Sequence, residues 1–509
     1  MKTRHLLPLL LAAAVPSLRA ADEPKPLPAI HVSDNGRYFV KEDGKPFFWL
    51  GDTAWCIFNH PSPADVDLYL DDRKAKGFTV IQGCVAVWDH TTRRNPDGQT
   101  PFNNAGRGAT GNPTINEAFY KNVDSIVDKC TQRGMYMAML PFWTKNTRSG
   151  VFNDPAVMGP YCEFLAKRYA SKNVFFVLGG DTAADPAIRP AIDAEAAGLL
   201  KGAKEAAVPK IMITYHPTGR QSSSFWYQDA TWLDFNSIQS GHFINTTNFQ
   251  LIGDDFAKTP VKPTLDMEPG YENITNNLVR DASAATAPRI QAVDVRRSAY
   301  LAVFAGAAGH SYGNGEVYEF YPGGAPVGNA GWHADMNWKD ALKLPASGQV
   351  QYVRWLIESR PMAERVPDQS LIAGGAATTV PALLPQEANA VIGPEAGAAR
   401  GARGRAGPRV SAIDRVCATR GSTGDYAFVY LPTGQTKVTV NTSKLAGEQL
   451  TAWWYDPRTG DAQQIGTAAK GATREFTAPA PNEKVAATNN DWVLVLDNAA
   501  KDFAAPGKH

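Results

Sequence analysis

Two apolar runs in this chain end on carboxylates. Val174-Phe-Phe-Val-Leu-Gly-Gly-Asp181 stops at Asp181, and Lys262-Pro-Thr-Leu-Asp-Met-Glu-Pro-Gly-Tyr-Glu-Asn273 carries Glu268 just before Pro269. Proline has no backbone N–H and biases the residue before it towards an extended conformation, so a strand is expected to end at Glu268. Side chains alternate faces along a strand, which groups Thr264, Asp266 and Glu268 on one side and Leu265 and Met267 on the other. Two acids at strand ends can act on a glycosidic bond, one protonated to release the leaving group and one ionised to attack. Asp181 and Glu268 are the expected catalytic pair. Mutual repulsion and partial burial are expected to raise the pKa of Asp181 while Glu268 stays ionised. Asp266 is expected one layer deeper as a hydrogen-bonded core acid. Glu272, in the following loop, is the alternative nucleophile. Gly179 and Gly180 are expected to clear space for a sugar beside Asp181.

The elements that would hold these acids repeat. Helices are predicted at Pro63 to Lys76, Glu117 to Arg133, Pro155 to Ala170, Pro190 to Ala207 and Ala292 to Val303. Strands are predicted at Phe47 to Asp52, Phe78 to Gly83, Met135 to Trp143, Val174 to Gly179, Lys210 to His216, Asp234 to Gln239 and Thr264 to Glu268, with an eighth through Gly309 to Gly313. Eight strands with helices between them fit a (β/α)8 barrel, an α/β fold of ~250 residues or more. Asp181 and Glu268 are 87 positions apart; three βα units at ~31 residues each give ~93, placing them on strands four and seven. An open doubly wound sheet fits less well, because no Gly-rich phosphate loop follows the first strand.

Other side chains at strand ends are candidates for substrate binding: Asp52 and Trp55 after strand one, Gln82 and Trp88 after two, and Trp143 after three. His216 follows strand five, Gln239 and His242 strand six, and His310 and Tyr312 strand eight. Amide, imidazole and carboxylate groups hydrogen-bond hydroxyls, and an indole face packs on sugar C–H bonds. Asp52 stands out because it follows a glycine and shares strand parity with Leu50 and Phe48.

Composition narrows the partners. Lys and Arg number 51 against 50 Asp and Glu, which gives no basic excess for nucleic acid. No role above needs a metal or cofactor, and the nine histidines include no His-Glu-x-x-His pair. Residues 1–21 read as an export signal: Lys2 and Arg4 precede the apolar run Leu6 to Val15, too short for a permanent membrane anchor. The expected location is the periplasm or outside the cell. Five cysteines leave at least one unpaired, and Cys56–Cys84 or Cys130–Cys162 could bridge.

The expected domains are a barrel with an N-terminal hairpin over 28–366 and a C-terminal antiparallel β-sandwich over 367–500. An Ala/Gly/Arg-rich insert at 385–409 cannot build a core. Trp453-Trp454 is expected to be sandwich core rather than a sugar platform. No candidate lies beyond Asp368, so the tail is expected to be dispensable for turnover.

The stretch Asn35-Gly-Arg-Tyr-Phe-Val40 with Gly44-Lys-Pro-Phe-Phe-Trp-Leu-Gly-Asp-Thr-Ala-Trp55 resembles the apiosidase-like glycoside hydrolases (family 140). Arg73-Lys-Ala-Lys-Gly-Phe78, Gln82, Leu178-Gly-Gly-Asp181 and Gly309-His-Ser-Tyr-Gly313 support the resemblance. The tail resembles that family's usual C-terminal partner, a collagen-binding-type domain. The resemblance implies a (β/α)8 hydrolase with Asp181 at the acid/base position and Glu268 at the nucleophile position. It makes terminal apiose in pectin the first substrate to consider, within the wider class of plant cell-wall oligo- and polysaccharides. The competing reading is a non-catalytic carbohydrate- or matrix-binding protein on a hydrolase-like barrel.

Overall fold

The computed structural model describes residues 25–87, 94–104, 113–147, 150–278, 286–324, 336–374, 413–481 and 486–508. Eight parallel strands form the barrel: β1 (Trp49–Thr53), β2 (Val80–Ala86), β3 (Tyr136–Phe142), β4 (Phe175–Thr182), β5 (Met212–Pro217), β6 (Asn236–Gln239), β7 (Thr264–Asp266) and β8 (Gly309–Tyr312). Their order around the sheet is β5-β4-β3-β2-β1-β8-β7-β6, with a short antiparallel piece, Gln221–Ser222, beside β6. The ring closes where the β5 and β6 segments meet: the Asp234 N–H donates to the Ile213 carbonyl, and the Thr214 hydroxyl to the Phe235 carbonyl.

Helices α1 (Pro63–Ala75), α2 (Glu117–Gln132), α3 (Pro155–Tyr169), α4 (Arg189–Glu205), α5 (Asn248–Phe256) and α6 (Ala292–Phe304) surround it. Their starts follow from sequence. Ser62 and Asp154 cap α1 and α3 directly before a proline, and Gln291 with Asp294 forms a capping box on α6. Helices α3 and α4 touch backbone to backbone, since a Cβ on Gly198 would stand 2.1 Å from the Gly159 carbonyl oxygen. Phe39 and Phe47 from the N-terminal strands fill the barrel floor, meeting Phe235 and Tyr136 edge-on at 5.2 Å each.

The tail is a sandwich of two antiparallel sheets. One has six strands: β9 (Arg365–Pro367), β11 (Cys417–Gly421), β12 (Tyr426–Leu431), β14 (Gln449–Tyr455), β15 (Ala462–Ala469) and β17 (Trp492–Asn498). The other has three: β10 (Ile372–Gly374), β13 (Lys437–Val440) and β16 (Arg474–Thr477). Strands β12 and β17 read as unbroken apolar runs because both their faces are covered. Ala427, Val429, Leu494 and Leu496 enter the sandwich core, whereas Phe428, Tyr430, Val493 and Val495 join the barrel's. Trp454 is sandwich core, while its neighbour Trp453 packs on the barrel side. Tyr430 stacks parallel on Tyr300 of α6 at 4.9 Å, and Arg296 of the same helix makes two hydrogen bonds to Asp491.

All five cysteines are buried and none is in a disulfide, so neither expected bridge forms. Among the described residues no helix is long and apolar enough to cross a membrane. Helix α5 and strands β9, β10, β11 and β15 are not anticipated from the sequence pattern.

Candidate active site

The two acids meet at the mouth of the barrel. A carboxylate oxygen of Asp181, one of Glu268 and a ring nitrogen of His216 all lie within 4.8 Å of one another. Asp181 follows two glycines in left-handed backbone and adopts it too, with φ of 88°, 107° and 50° at Gly179, Gly180 and Asp181. The β4–β5 register shifts between Gly179 and Thr182, so this bulge, rather than plain alternation, aims the carboxylate. The glycines serve packing rather than substrate access. A Cβ at Gly179 would stand 2.6 Å from the Tyr215 ring, and one at Gly180 3.1 Å from Trp143. Asp181 accepts from Gln239 Nε2 at 2.7 Å and pairs with Lys145 Nζ at 2.9 Å.

Glu268 lies beyond the end of β7, which stops at Asp266, and is 3 % exposed. Its Oε2 is 2.9 Å from His216 Nε2, an ion-pair distance. Its Oε1 is 3.3 Å from His242 Nε2. The Tyr271 N–H donates to His242 Nδ1, which leaves the ring proton on Nε2, facing Glu268. Burial pushes the Glu268 carboxyl up, but the two imidazoles more than reverse this and hold it well below the usual carboxylate range. Burial likewise pulls His216 down, and Glu268 beside it turns the net shift upward. Glu268 is therefore ionised. Trp55 and Trp143 wall the site, their rings 5.2 Å apart and 5.4 and 5.8 Å from His216. The Trp55 indole donates to the Tyr271 hydroxyl at 3.1 Å.

Of the sequence candidates, Asp181, Glu268, His216, Gln239, His242, Trp55 and Trp143 thus come together. Trp88 lies outside the described residues. Gln82 is inside the barrel and fully buried; its amide nitrogen donates to Thr53 Oγ1 and the Met267 carbonyl at 3.0 Å each. Asp52, His310 and Tyr312 do not line the mouth. Strand parity runs the other way: Trp49 and Ser311 meet inside the barrel at 3.2 Å, which turns their strand neighbours towards the helices. Asp52 Oδ2 accepts from the Tyr69 hydroxyl and Arg73 Nε of α1, both at 2.5 Å. Burial raises its pKa despite Arg73 and Tyr69. Tyr312 donates to Glu272 at 2.6 Å. His310 sits fully buried on the same face, and burial lowers its ring to about 3.

Asp266 does not share a face with Glu268. It accepts from Ser240 and from Asn248 of α5, and burial raises its pKa to about 6. Glu272 accepts from the Ala346 N–H at the start of helix Pro345–Gln349, which removes it as a nucleophile. Gly309-His-Ser-Tyr-Gly313 has the letters of a serine-hydrolase elbow, but Ser311 is wholly buried on a strand and donates to Gln82 at 2.9 Å. Lys145 and Tyr271 are the site residues that sequence reasoning missed. Each is a few positions past a residue that was singled out, in a loop without period.

The sequence matches the family described as "Apiosidase-like, catalytic domain" over residues 33–364. The chain belongs to this family. The tail, over 406–497, matches the description "Putative collagen-binding domain of a collagenase". A solved glycoside hydrolase is 29% identical, covering 94% of this chain and 98% of its own, with a TM-score of 0.75. A glycoside hydrolase family 5 structure from Bacteroides vulgatus ATCC 8482 is 30% identical over 94% of this chain and 95% of its own, also at 0.75. No functionally curated protein matches the sequence. The apiosidase-like chain is a glycoside hydrolase by fold and family.

Proposed function

We propose that the protein is an exported retaining glycoside hydrolase acting on a plant cell-wall or pectic glycan, with an apiosidase-like specificity as the first to test. The observation that carries this is the closeness of Asp181 and Glu268, one carboxylate oxygen of each lying within 4.8 Å of the other. Retaining enzymes space their carboxyl groups ~5–5.5 Å apart, whereas inverting enzymes leave ~6.5–9.5 Å for a water. Glu268, ionised and oriented by His216 and His242, attacks the anomeric carbon and forms a glycosyl ester. Asp181 gives its proton to the departing oxygen, then takes one from the water that cleaves the ester. Lys145 is 55% exposed and on a long stem, so it can leave Asp181 when a leaving group arrives. Trp55 and Trp143 offer an aromatic wall for the sugar ring, and Gln239 keeps Asp181 aimed.

The test is hydrolysis of an aryl-glycoside panel that includes an apioside, followed by NMR of the first-formed anomer. Retained configuration is expected. An inverted first product would overturn the mechanism, and no turnover of any glycan would favour the binding-protein reading.

A further inference from the structure

We propose that Asp181, His216 and Glu268 also form a site for a divalent transition-metal ion, and that metal bound there switches the enzyme off. The inference rests on the reading of the two acids given above and adds a mode of regulation to it. One imidazole nitrogen and two carboxylate oxygens converge within 4.8 Å. That donor set suits Zn²⁺, Cu²⁺ or Ni²⁺, and it is too small and too nitrogenous for Ca²⁺ or Mg²⁺. A second observation points the same way. Apart from their 2.9 Å ion pair with each other, neither Nε2 of His216 nor Oε2 of Glu268 has a further hydrogen bond, although His216 is wholly enclosed and Glu268 nearly so. Buried polar atoms left in this state are uncommon, and a cation would satisfy two of them at once.

The rearrangement needed is small. Tetrahedral zinc with ligand bonds of ~2.0–2.2 Å sets its donor atoms about 3.4 Å apart. His216 Nε2 and Glu268 Oε2 are already 2.9 Å apart. Asp181 is the member that has to move: its side chain, 17% exposed, would swing off Lys145 and Gln239. His242 on the other oxygen of Glu268 orients that ligand from behind, the usual place for an outer hydrogen bond to a metal-bound carboxylate. Lys145, whose ammonium is 2.9 Å from Asp181, opposes the cation and sets a ceiling on affinity. A metal held this way occupies the oxygens needed for attack and for proton donation, and its open coordination position faces the mouth. It therefore competes with substrate.

The experiment titrates ZnCl₂ into the tag-free mature protein by calorimetry, with the Co²⁺ visible absorption spectrum as a second readout. One site is expected, with at least tenfold weaker binding in His216→Ala and in Glu268→Gln. Severalfold tighter binding is expected in Lys145→Gln, a change at an exposed residue that keeps the test open should a core variant fail to fold. Co²⁺ should give the intense bands of a four-coordinate ion, absent from His216→Ala. In turnover assays Zn²⁺ should raise KM without lowering kcat, and EDTA should restore the original rate. Unchanged zinc binding in both core variants, weaker binding in Lys145→Gln, or a rate increase with zinc would each overturn the proposal. The titration and the spectrum do not depend on turnover, so a protein that binds zinc but cleaves no glycoside would sink the hydrolase reading alone. A glycosidase indifferent to zinc would sink only this inference.

Discussion

The contact between barrel and sandwich should behave as part of one core, and Arg296 with Asp491 measures it. Nε and Nη2 of Arg296 donate to Asp491 at 3.1 and 2.6 Å, while Gln349 and Asn489 take two further N–H bonds at 2.5 Å each. Both charged side chains are wholly buried. Removing one member of a buried ion pair costs ~3–5 kcal/mol, mostly because the other charge is stranded. The two single variants should differ. In Arg296→Met, Asp491 keeps the Tyr430 hydroxyl at 3.1 Å and Arg458 at 3.6 Å, so the loss should sit near ~3 kcal/mol. In Asp491→Ala the guanidinium loses its only carboxylate among the described residues, so the loss should approach ~5 kcal/mol. The double variant should cost less than the two added, with a coupling of about 2 kcal/mol. Guanidinium unfolding curves on all four proteins complete the cycle. Single losses below ~1 kcal/mol, or strict additivity, would refute the idea of a shared core. The same reasoning revises the expectation that the tail is dispensable. A chain cut after Asp368 would strip Tyr430 and Phe428 from Tyr300 and Phe304 of α6 and leave Arg296 and Arg360 without their acids, so it should fail to fold.

The remaining predictions concern single groups. Glu268→Ala should abolish turnover on every substrate, because no glycosyl ester can form. Asp181→Ala should lose ~10²–10⁴-fold on natural linkages but far less on aryl glycosides with good leaving groups. Azide should rescue it to a glycosyl azide of retained configuration; an inverted azide from this variant would swap the two roles. Asp52→Ala should cost ~3 kcal/mol of stability, the lower end for a broken buried pair because Arg73 keeps Asp72, with KM unchanged; a higher KM at full stability would return Asp52 to the substrate site. Glu195 on α4 is 2% exposed, and burial raises its pKa from 4.5 to about 8. Between those values the folded chain keeps a proton that the unfolded chain has lost, so stability falls as pH rises, by up to ~1.4 kcal/mol per unit. Glu195→Gln should remove that slope, read as unfolding free energies at pH 5 and pH 8. Identical slopes would show that Glu195 is ionised in place.

Elements with a strong period and a marked start were legible in the sequence. Helices α1 and α3 announce themselves by Ser62-Pro63 and Asp154-Pro155, and the barrel strands by apolar runs between them. Helix α5 is short, and its N-cap residue Thr247 makes no side-chain cap, so nothing marks it. Strand β15 is mostly exposed, and its Gln-Gln-Ile-Gly-Thr series has no buried face to impose alternation. At the site, the two acids were legible as strand-end carboxylates. Their neighbours divided according to face, which depends on which of two adjacent residues points inward. On β1 that is decided by Trp49, whose indole reaches Ser311 across the interior, and no local pattern reveals a partner 262 positions away. Asp52, His310 and Tyr312 were misplaced for that one reason.

The left-handed run Gly179-Gly180-Asp181 bears on how this enzyme can be redesigned. A saturation library over these positions should return almost nothing but the parent at the first two. An added methyl there meets the Tyr215 ring, the His216 carbonyl or Trp143, in a conformation that side chains rarely adopt. Asp181 tolerates that conformation better than most residues could, because its short polar side chain suits it. Exchanging it for glutamate to lengthen the reach would change both the chain's preferred torsion and the carboxylate's position. Altered specificity is therefore better sought in the loops that carry Trp143 and Lys145, leaving these three residues to be inherited as a block.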